Sequence, residues 1–406
     1  MTVRESLRKR MRHILHTDGA PVALTKKKGN LSIWILVFSI VCSLGTAGLA
    51  YKKVWKIEYK YKKMRRSINR LASHVPLLPR SLSGIPFGEE LGVVVAVQNV
   101  DIRNVLAPYN PSLVPSACGY DLFFRYDEIN PNLTALPYSS YIGVVSLDNQ
   151  FKQGNKEFKK IDLQTEYAED PRACLVNDRL YLLTNQLCEH PKCRIMNITH
   201  LDRNTFDVKY NTPLDLNLSW IEKNWSPFEY ISKEGNSHLY LEYRINPRKV
   251  FQLTDPQVND LQNINMPTAK AYLSLFWEKK WGHMSGGTPS INIGPEYLGF
   301  FHSWFCDEHQ QVWYVIGAYT FNANPPFNLT GISPHPILFQ GIYDSPITNT
   351  ACNNKRVIFP SGIVLAKQND RDVIHLACGE NDCRVKIVTI DKEKLLATMI
   401  HIKTKE

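Results

Sequence analysis

Carboxylates, cations and a histidine recur at equivalent positions of a repeated pattern along this 406-residue chain. The pattern consists of a polar or small residue, a proline close behind, a strand-like run, a turn, and a second strand rich in aromatic residues. Its prolines recur every 56 to 71 residues, at Pro111, Pro171, Pro227, Pro289 and Pro360. A hairpin repeated at that interval is typical of small antiparallel sheets arranged radially. The sequence therefore predicts an all-β fold, a five-bladed β-propeller, over residues 85–406.

In a propeller, corresponding positions of all blades meet at a central funnel. The residues just before the repeated prolines include Glu169, Asp170, Lys223, Asn224, Gly287 and Thr288. The second strands end in Arg125, Arg244, His302 and, on the following turn, Asp382. A ring of carboxylates, cations and amides suits a hydroxyl-rich ligand. We therefore predict a carbohydrate site at the funnel.

Asp170 is the residue to which we assign the chemistry. Making or breaking a glycosidic bond passes through an oxocarbenium-like state, so a carboxylic acid must protonate the bridging oxygen, or a carboxylate must deprotonate it. We expect Glu169 to orient the sugar or to tune the acid by like-charge repulsion. The structural alternative is an Asp-Pro turn that caps a strand.

Several other polar side chains are candidates for substrate contacts. Four cations are suited to the phosphate of a donor, because they donate to phosphate oxygens: Arg125, Arg172, Lys223 and Arg244. Asp382 is expected to hold sugar hydroxyls, with a hairpin-turn aspartate as the alternative. His302 is a candidate for contact with phosphate or sugar, with a satisfied core histidine as the alternative. Four aromatic residues are either sugar-stacking platforms or core: Trp225, Trp304, Trp313 and Tyr319.

The run Glu169–Arg172 reads E-D-P-R, and it occurs in register with Asn110-Pro111, with the GGTP run at 286–289 and with Gly379–Asp382. Together these motifs resemble the glycoside hydrolase family 130 enzymes and related β-mannosyl-transferring enzymes. The resemblance implies a five-bladed propeller that acts on β-mannosides. It also implies that Asp170 is the general acid and that Asp382 binds the sugar. The run 222–228 departs from the phosphorylase pattern and is closer to the transferase-like relatives.

Residues 31–51 contain no charge and are long enough, as a helix, to cross a bilayer. We predict a transmembrane anchor there, preceded by a flexible basic tail at 1–30 and followed by a basic stem at 52–84. A cleaved signal peptide ending near Ala50 is the alternative. Lysine and arginine number eight before the span and nine in residues 52–71, so charge does not decide the orientation.

Cysteines and glycosylation sequons favour a lumenal domain. Eight of the nine cysteines follow residue 51. Sequons stand at Asn132, Asn197, Asn217 and Asn328, whereas the formal sequon at Asn224 lies in the proposed site and is expected to stay unmodified. Possible disulfides are Cys188/Cys193, Cys378/Cys383 and Cys306/Cys352. These features indicate a type II protein of the Golgi or secretory pathway, and buried thiols of a cytosolic domain are the alternative.

The net charge of +10 comes mostly from the first 80 residues. The repeat region is near neutral, which disfavours binding to nucleic acid. No cysteine and histidine cluster has zinc spacing, and Asp370-Arg371-Asp372 falls on a predicted outer turn. We therefore expect neither a metal nor a cofactor.

The function that these features favour is a membrane-anchored inverting glycosyltransferase. It would form β-mannosidic or similar linkages on a glycan, with a sugar nucleotide or sugar phosphate as donor and Asp170 as acid or base. One alternative is a β-mannoside phosphorylase or hydrolase of the same fold. The other is a propeller that binds carbohydrate without catalysis.

Overall fold

The computed structural model describes residues 78–129, 138–187, 193–214, 219–257, 260–264, 272–345 and 355–402. The predicted tail, the anchor at 31–51 and most of the stem lie outside these residues, so their membrane role stays a prediction. Within the described part, no helix is long and apolar enough to cross a membrane.

After a first strand, β1 (Val94–Val100), the described chain folds into five sheets. Their strands pair antiparallel except for one short parallel pair in the fourth sheet. Three of the sheets are consecutive four-stranded blades, in which the strands are neighbours in chain order. Blade 1 is β2 (Tyr109–Ser116), β3 (Gly119–Ile129), β4 (Tyr138–Leu147) and β5 (Lys159–Lys160). Blade 2 is β6 (Ala168–Val176), β7 (Arg179–Leu187), β8 (Arg194–Leu201) and β9 (Val208–Leu214). Blade 3 is β10 (Ser226–Ile231), β11 (Ser237–Arg244), β12 (Lys249–Asp255) and β13 (Asp260–Ile264).

Blade 4 is larger, with seven strands, and follows helix α1 (Tyr272–Trp281). Its strands are β14 (Ser285–Gly286), β15 (Ile291–Asn292), β16 (Glu296–Cys306), β17 (Val312–Asn322), β18 (Leu329–Ile332), β19 (Lys355–Arg356) and, from the end of the described chain, β23 (Ile400–His401). Blade 5 is β20 (Ile358–Gln368), β21 (Arg371–Glu380), β22 (Arg384–Asp391) and β1. Helix α2 (Lys392–Thr398) follows β22, and Asp391 caps its first turn.

The two ends of the described region close the ring in blade 5. Strand β1 pairs antiparallel with β22, with Val100 opposite Val385. Closure of this kind leaves no free gap between the first and last repeats. The prediction of an all-β propeller is confirmed: four sheets are regular four-stranded blades, and blade 4 departs from that pattern by its extra strands.

The predicted turns lie where the hairpins need them. Asn177 and Asp178 have φ of 48° and 59° between β6 and β7, and Asn369 and Asp370 have φ of 52° and 60° between β20 and β21. Asparagine and aspartate tolerate this left-handed conformation, and two such residues in sequence fit the right-handed twist of a hairpin. The Asp370-Arg371-Asp372 run therefore belongs to an outer hairpin, as predicted.

The core lies between neighbouring blades; it is mainly aliphatic beside blades 1 and 2 and rich in aromatic rings around blade 4. Between blades 3 and 4, for example, the ring of Tyr297 stacks on Phe321 at 5.1 Å and meets Phe228 edge-on at 5.2 Å. Trp225, Trp313 and Tyr319 are buried in this kind of packing. Their alternative role as core is therefore the one observed, and Trp304 alone of the four candidates is exposed.

Two of the disulfides considered from sequence are wrong. Cys378 and Cys306 are free thiols, which excludes the Cys378/Cys383 and Cys306/Cys352 bridges. Cys193 is disulfide-bonded, and Cys188 and Cys352 lie outside the described residues.

The four sequons have different positions. Asn197 is buried, and its amide donates to Asn211 Oδ1 at 3.5 Å. Burial of this amide disfavours a glycan at Asn197, and its modification stays a prediction. Asn328 is half-buried beside β18. Asn132 and Asn217 lie outside the described residues.

Candidate active site

The same left-handed backbone conformation positions one central polar residue before each of the inner strands of blades 1 to 3. Asn110, Asp170 and Asn224 have φ of 46°, 52° and 61°, and each lies at or just before the start of the inner strand of its blade. In β2 and β6 the pairing register shifts at this point, which is the mark of a β-bulge. A bulge re-aims a side chain, and asparagine and aspartate are the non-glycine residues that best tolerate a left-handed backbone. This conformation brings Asn110 Nδ2 to 2.7 Å from Asp170 Oδ1.

Asp170 is surrounded by groups that favour its charged form. Besides Asn110, Arg125 Nη1 lies 3.4 Å from the same oxygen, Oδ1. Burial alone would raise the pKa of Asp170, but the charges of Arg125 and Arg172, the Asn110 hydrogen bond and the charge of Lys223 together lower it. The side chain keeps 16% of its surface exposed. Asp170 is therefore an accessible carboxylate in the unliganded protein.

Glu169 is held by two arginines. Its Oε1 accepts from Arg125 Nη2 at 3.0 Å and from Arg194 Nη2 at 2.8 Å. Arg194 also donates from Nη1 to Asn185 Oδ1 at 2.9 Å. Charge-assisted bonds of this kind fix orientation as well as adding energy. Glu169 thus orients Arg125, and through it the cation that faces Asp170.

A second carboxylate supports Arg125 from blade 1. Asp127 accepts from Tyr109 Oη at 2.8 Å and from Ser140 Oγ, and it lies 3.4 Å from Arg125 Nε. Ser140 Oγ in turn accepts from Arg125 Nε at 3.0 Å. The guanidinium is therefore fixed along both of its edges.

Arg172 is fully buried and ties blade 2 to blades 3 and 4. Its Nε donates to the Gly287 carbonyl at 2.6 Å, Nη1 to the Asp170 carbonyl at 3.2 Å, and Nη2 to Gly286 O and Asn224 Oδ1, each at 3.3 Å. Burial lowers the pKa of this guanidinium to about 10. The structure thus places Arg172 beneath the funnel as a clamp, and its predicted role toward phosphate stays a prediction.

Gly287 and Thr288 allow close packing against the backbone of Phe300 in blade 4. A Cβ on Gly287 would lie 2.5 Å from the Phe300 carbonyl. Thr288 is fully buried, and its Oγ1 accepts from Phe300 N at 3.0 Å. Both residues shape the floor under Asp170 through backbone approach, and only the Gly287 carbonyl reaches another predicted residue, Arg172.

His302 lies on blade 4 beside the funnel. Its ring packs at 4.4 Å from the Phe359 ring, only 4% of the residue is exposed, and Nδ1 has no hydrogen-bond partner. Burial and the nearby charges of Arg172 and Lys223, against that of Asp170, lower the pKa of His302 to about 3. The imidazole is therefore neutral at physiological pH, with one buried nitrogen left to bond a ligand.

Lys223 is exposed on the connection into blade 3, and its charge acts on both Asp170 and His302. Within the described part of the chain, its ammonium makes no hydrogen bond or ion pair. Arg244 lies further out at the end of β11, over the Tyr243 ring at 5.6 Å. The structure thus brings Lys223, and not Arg244, to the Asp170 cluster.

Asp382 is on the hairpin turn between β21 and β22, where Asn381 and Asp382 have φ of 48° and 50°. Burial raises the pKa of its carboxyl; the charge of Arg125 opposes this, those of Asp170 and Asp127 add to it and that of Lys355 opposes it, with a net pKa of about 6. The strand before it fits closely, since a Cβ on Gly379 would lie 2.5 Å from Asn110 N. Asp382 and Asp170 thus share Arg125 as a neighbour, and their pKa values are shifted in opposite directions.

Sequence reasoning placed Asn110 at the funnel, because it precedes the first repeated proline, but it missed Arg194, Asp127 and Tyr109 as site residues. Tyr109 carried a signal, since it adjoins Asn110. Arg194 begins the third strand of blade 2, and nothing in its local sequence indicates a partner 25 residues away.

No family model and no curated protein sequence matches the chain. Solved structures do match it. One is a mannose phosphorylase from Leishmania mexicana in complex with a phosphate ion, with a TM-score of 0.51 and 13% identity over 78% of this chain and 94% of that one. Another, with a TM-score of 0.50 and 14% identity over 71% and 85%, represents the family 130 mannoside phosphorylases that contain hydrolases of β-1,2 mannosidic linkages in Candida mannan.

The chain shares the fold of the family 130 enzymes. The resemblance indicated by Glu169–Arg172 is confirmed at that level. At 13–14% identity the likeness carries the fold alone, so the activity is argued below from the site's own geometry.

Proposed function

We propose that the chain is a carbohydrate-active enzyme, an inverting β-mannoside phosphorylase. The observation that carries the proposal is the carboxylate of Asp170, with two groups whose charges or burial couple to it. One is Lys223, whose ammonium forms no ion pair among the described residues, and the other is His302, a neutral buried histidine. The names of the enzymes that share the fold point the same way. They favour the phosphorylase or hydrolase alternative over the glycosyltransferase that the sequence favoured first.

The cation and the histidine would bind inorganic phosphate. Lys223 offers an ammonium to the phosphate. The other ring nitrogen of His302 is hydrogen-bonded to the Gly286 backbone, so Nδ1 of the neutral ring would accept from a phosphate O–H. Both lie within electrostatic range of Asp170. A phosphate held there would stand beside the acid that serves the same reaction.

The reaction joins a phosphate oxygen to the anomeric carbon while the bond from that carbon to the glycosidic oxygen breaks. The bonding pair leaves with the glycosidic oxygen, which takes a proton from Asp170. Attack from the opposite face inverts the configuration, so a β-mannoside yields α-mannose 1-phosphate and a free sugar. In the reverse direction, Asp170 accepts the proton of the attacking hydroxyl.

Phosphate binding would prepare Asp170 for this role. In the unliganded site its pKa is lowered, and the charge of Lys223 contributes to that lowering. A phosphate would neutralise Lys223 and add negative charge nearby, and both changes raise the pKa of a carboxyl. Asp170 would therefore hold a proton best when the second substrate is in place.

The mannosyl unit would be held by blades 5 and 1. Asn110 Oδ1 is buried without a hydrogen-bond partner, so it can accept from a sugar hydroxyl. Asp382, with a pKa of about 6, can accept from hydroxyls as an anion or donate to one as an acid. This assignment keeps the sugar-binding role predicted for Asp382.

The test is product analysis with the purified full chain and β-1,2-mannobiose, with and without phosphate. The proposal predicts equal amounts of mannose and mannose 1-phosphate, formed only when phosphate is present. Release of mannose alone in either condition would make the protein a hydrolase. Mannosyl transfer from a sugar nucleotide to mannose, with no phosphorolysis, would restore the glycosyltransferase.

A further inference from the structure

Trp220 carries an exposed indole on the segment that leads to Lys223. With 72% of its surface accessible, it is the most exposed of the large apolar residues in the part of the chain that the structure describes. Tryptophan is usually well buried in folded proteins, and its large ring provides much of the energy of binding interfaces. The adjacent Ile221 is 50% exposed.

The backbone under this indole is held in place. The Trp220 carbonyl accepts from Arg194 N at 2.9 Å, and Glu222 N donates to the Arg194 carbonyl at 2.9 Å. The same Arg194 donates from its side chain to Glu169, next to Asp170. Asn185 Nδ2 also donates to the Glu222 carbonyl. The segment Ser219–Lys223 is thus bonded to Arg194, the arginine that donates to Glu169. Trp220 lies three residues before Lys223.

We propose that the indole of Trp220 is the platform on which the leaving-group sugar stacks, an inference that rests on the phosphorylase function proposed above. The bond to be cut must lie at Asp170, so the sugar beyond that bond has to leave the funnel across its rim. One face of a pyranose carries several C–H groups, and stacking it on a rigid aromatic ring buries apolar surface of both. An exposed indole on the segment that is bonded to Arg194 and leads to Lys223 meets this need.

Trp304 is the competing platform. It is 51% exposed, and it lies two residues after His302 on β16. No hydrogen bond ties its segment to Glu169 or Asp170 among the described residues, whereas the Trp220 segment has such a tie through Arg194. The two tryptophans therefore form a matched pair for the test.

The experiment compares Trp220→Ala, Trp220→Phe, Trp304→Ala and Ile221→Ala in both directions of the reaction. Trp220→Ala is expected to raise the KM for β-1,2-mannobiose roughly tenfold, because a stacked ring of this size contributes on that scale. In synthesis it should raise the KM for the acceptor mannose and leave the KM for mannose 1-phosphate within about twofold, since the donor carries no leaving sugar. Trp220→Phe should retain most of the affinity, and the other two variants should match the wild type.

Binding measured without turnover separates this inference from the proposed function. The tryptophan fluorescence of the wild type should change on adding β-1,2-mannobiose, and Trp220→Phe should abolish that change. If the sugar binds in this way but no phosphorolysis occurs, the proposed function fails and the platform stands. Equal KM values in Trp220→Ala and Ile221→Ala, a fluorescence change that persists in Trp220→Phe, or an effect confined to Trp304→Ala would each overturn the inference.

Discussion

Blades 2 and 5 use the same position of the repeat for opposite purposes. In blade 2 the residue before the proline is Asp170, a partly exposed carboxylate bonded to Asn110 and Arg125. In blade 5 it is Phe359, a buried ring packed on His302 at 4.4 Å and lying 5.7 Å from the Arg172 guanidinium. Both inner strands have a register shift, but it includes Asp170 in blade 2 and follows Phe359 in blade 5. Asp170 has a φ of 52°, whereas Phe359 is not among the residues with positive φ. The local backbone and the side chain together therefore decide whether this position provides chemistry or packing.

The largest expected effect comes from removing the charge of Asp170, the residue to which blade 2 owes its proposed chemistry. Asp170→Asn should lower kcat for phosphorolysis by about 10²–10⁴-fold, because the proton donor is lost. Asparagine fits the site, since Asn110 and Asn224 adopt the same left-handed backbone. A circular dichroism spectrum like that of the wild type would show that the fold is intact. A kcat within tenfold of the wild type would show that Asp170 is a structural turn residue.

The structural role of Arg172, which bonds blade 2 to blades 3 and 4, can be tested by removing its guanidinium. Arg172→Met should lower the free energy of unfolding by about 3 kcal/mol, since it strands buried carbonyls that the guanidinium now bonds. Thermal or denaturant unfolding measures this. The matched control is Arg244→Met, because Arg244 is exposed and stacks only on Tyr243; its loss should change stability by less than about 1 kcal/mol. If both variants lose the same free energy of unfolding, Arg172 has no greater structural role than the exposed Arg244.

Asp382 sharpens the comparison through the pH dependence of stability. Its pKa is about 6, against an ordinary value of 3.8, so the folded state holds the proton more tightly than the unfolded state. The resulting stabilisation is present below pH 3.8 and is lost as pH rises through 6. Asp382→Asn should therefore be more stable than the wild type at pH 8, by roughly 3 kcal/mol, and equal to it near pH 3.5.

A control for that variant lies on an outer hairpin. The hydrogen bond and charge of Lys392 lower the pKa of Asp372, so Asp372→Asn should show the opposite sign and lose stability at neutral pH. Melting temperatures of the two variants across this pH range give the comparison. A difference for Asp382→Asn that does not vary with pH would contradict the charge state assigned to it.

The smallest expected effect concerns the phosphate cation. Lys223→Met should raise the KM for phosphate about tenfold, the scale of one charge-assisted hydrogen bond, with little change in the KM for the sugar. Lys233→Met, on the exposed β10–β11 hairpin, is the control and should behave as the wild type. If both variants have the wild-type KM for phosphate, Lys223 does not bind it.

Much of the fold could be predicted from the repeat, because hairpins and turns are local. The spacing of the prolines located the inner strands, and the Asn-Asp pairs located two hairpin turns by their tolerance of positive φ. The extra strands of blade 4 and the pairing of β1 with β22 depend on contacts between distant segments, so no local pattern indicated them.

The part of the candidate site that follows the repeat was predictable from the sequence, and the rest was not. Glu169, Asp170 and Arg125 were found because the propeller brings repeat positions together. The clamp role of Arg172 and the part played by Arg194 were not, since both depend on which backbone or carboxylate a long side chain reaches across blades. Trp220 has no repeat counterpart, and only the observed exposure singles it out.

The most direct test of the account is the anomeric form of the phosphorylated product. The full chain would be incubated with β-1,2-mannobiose and phosphate, and the products followed by proton and phosphorus NMR before they can re-equilibrate. An inverting reaction at Asp170 predicts α-mannose 1-phosphate, with none formed by Asp170→Asn. The β-anomer, or no mannose 1-phosphate from the wild type, would contradict the account.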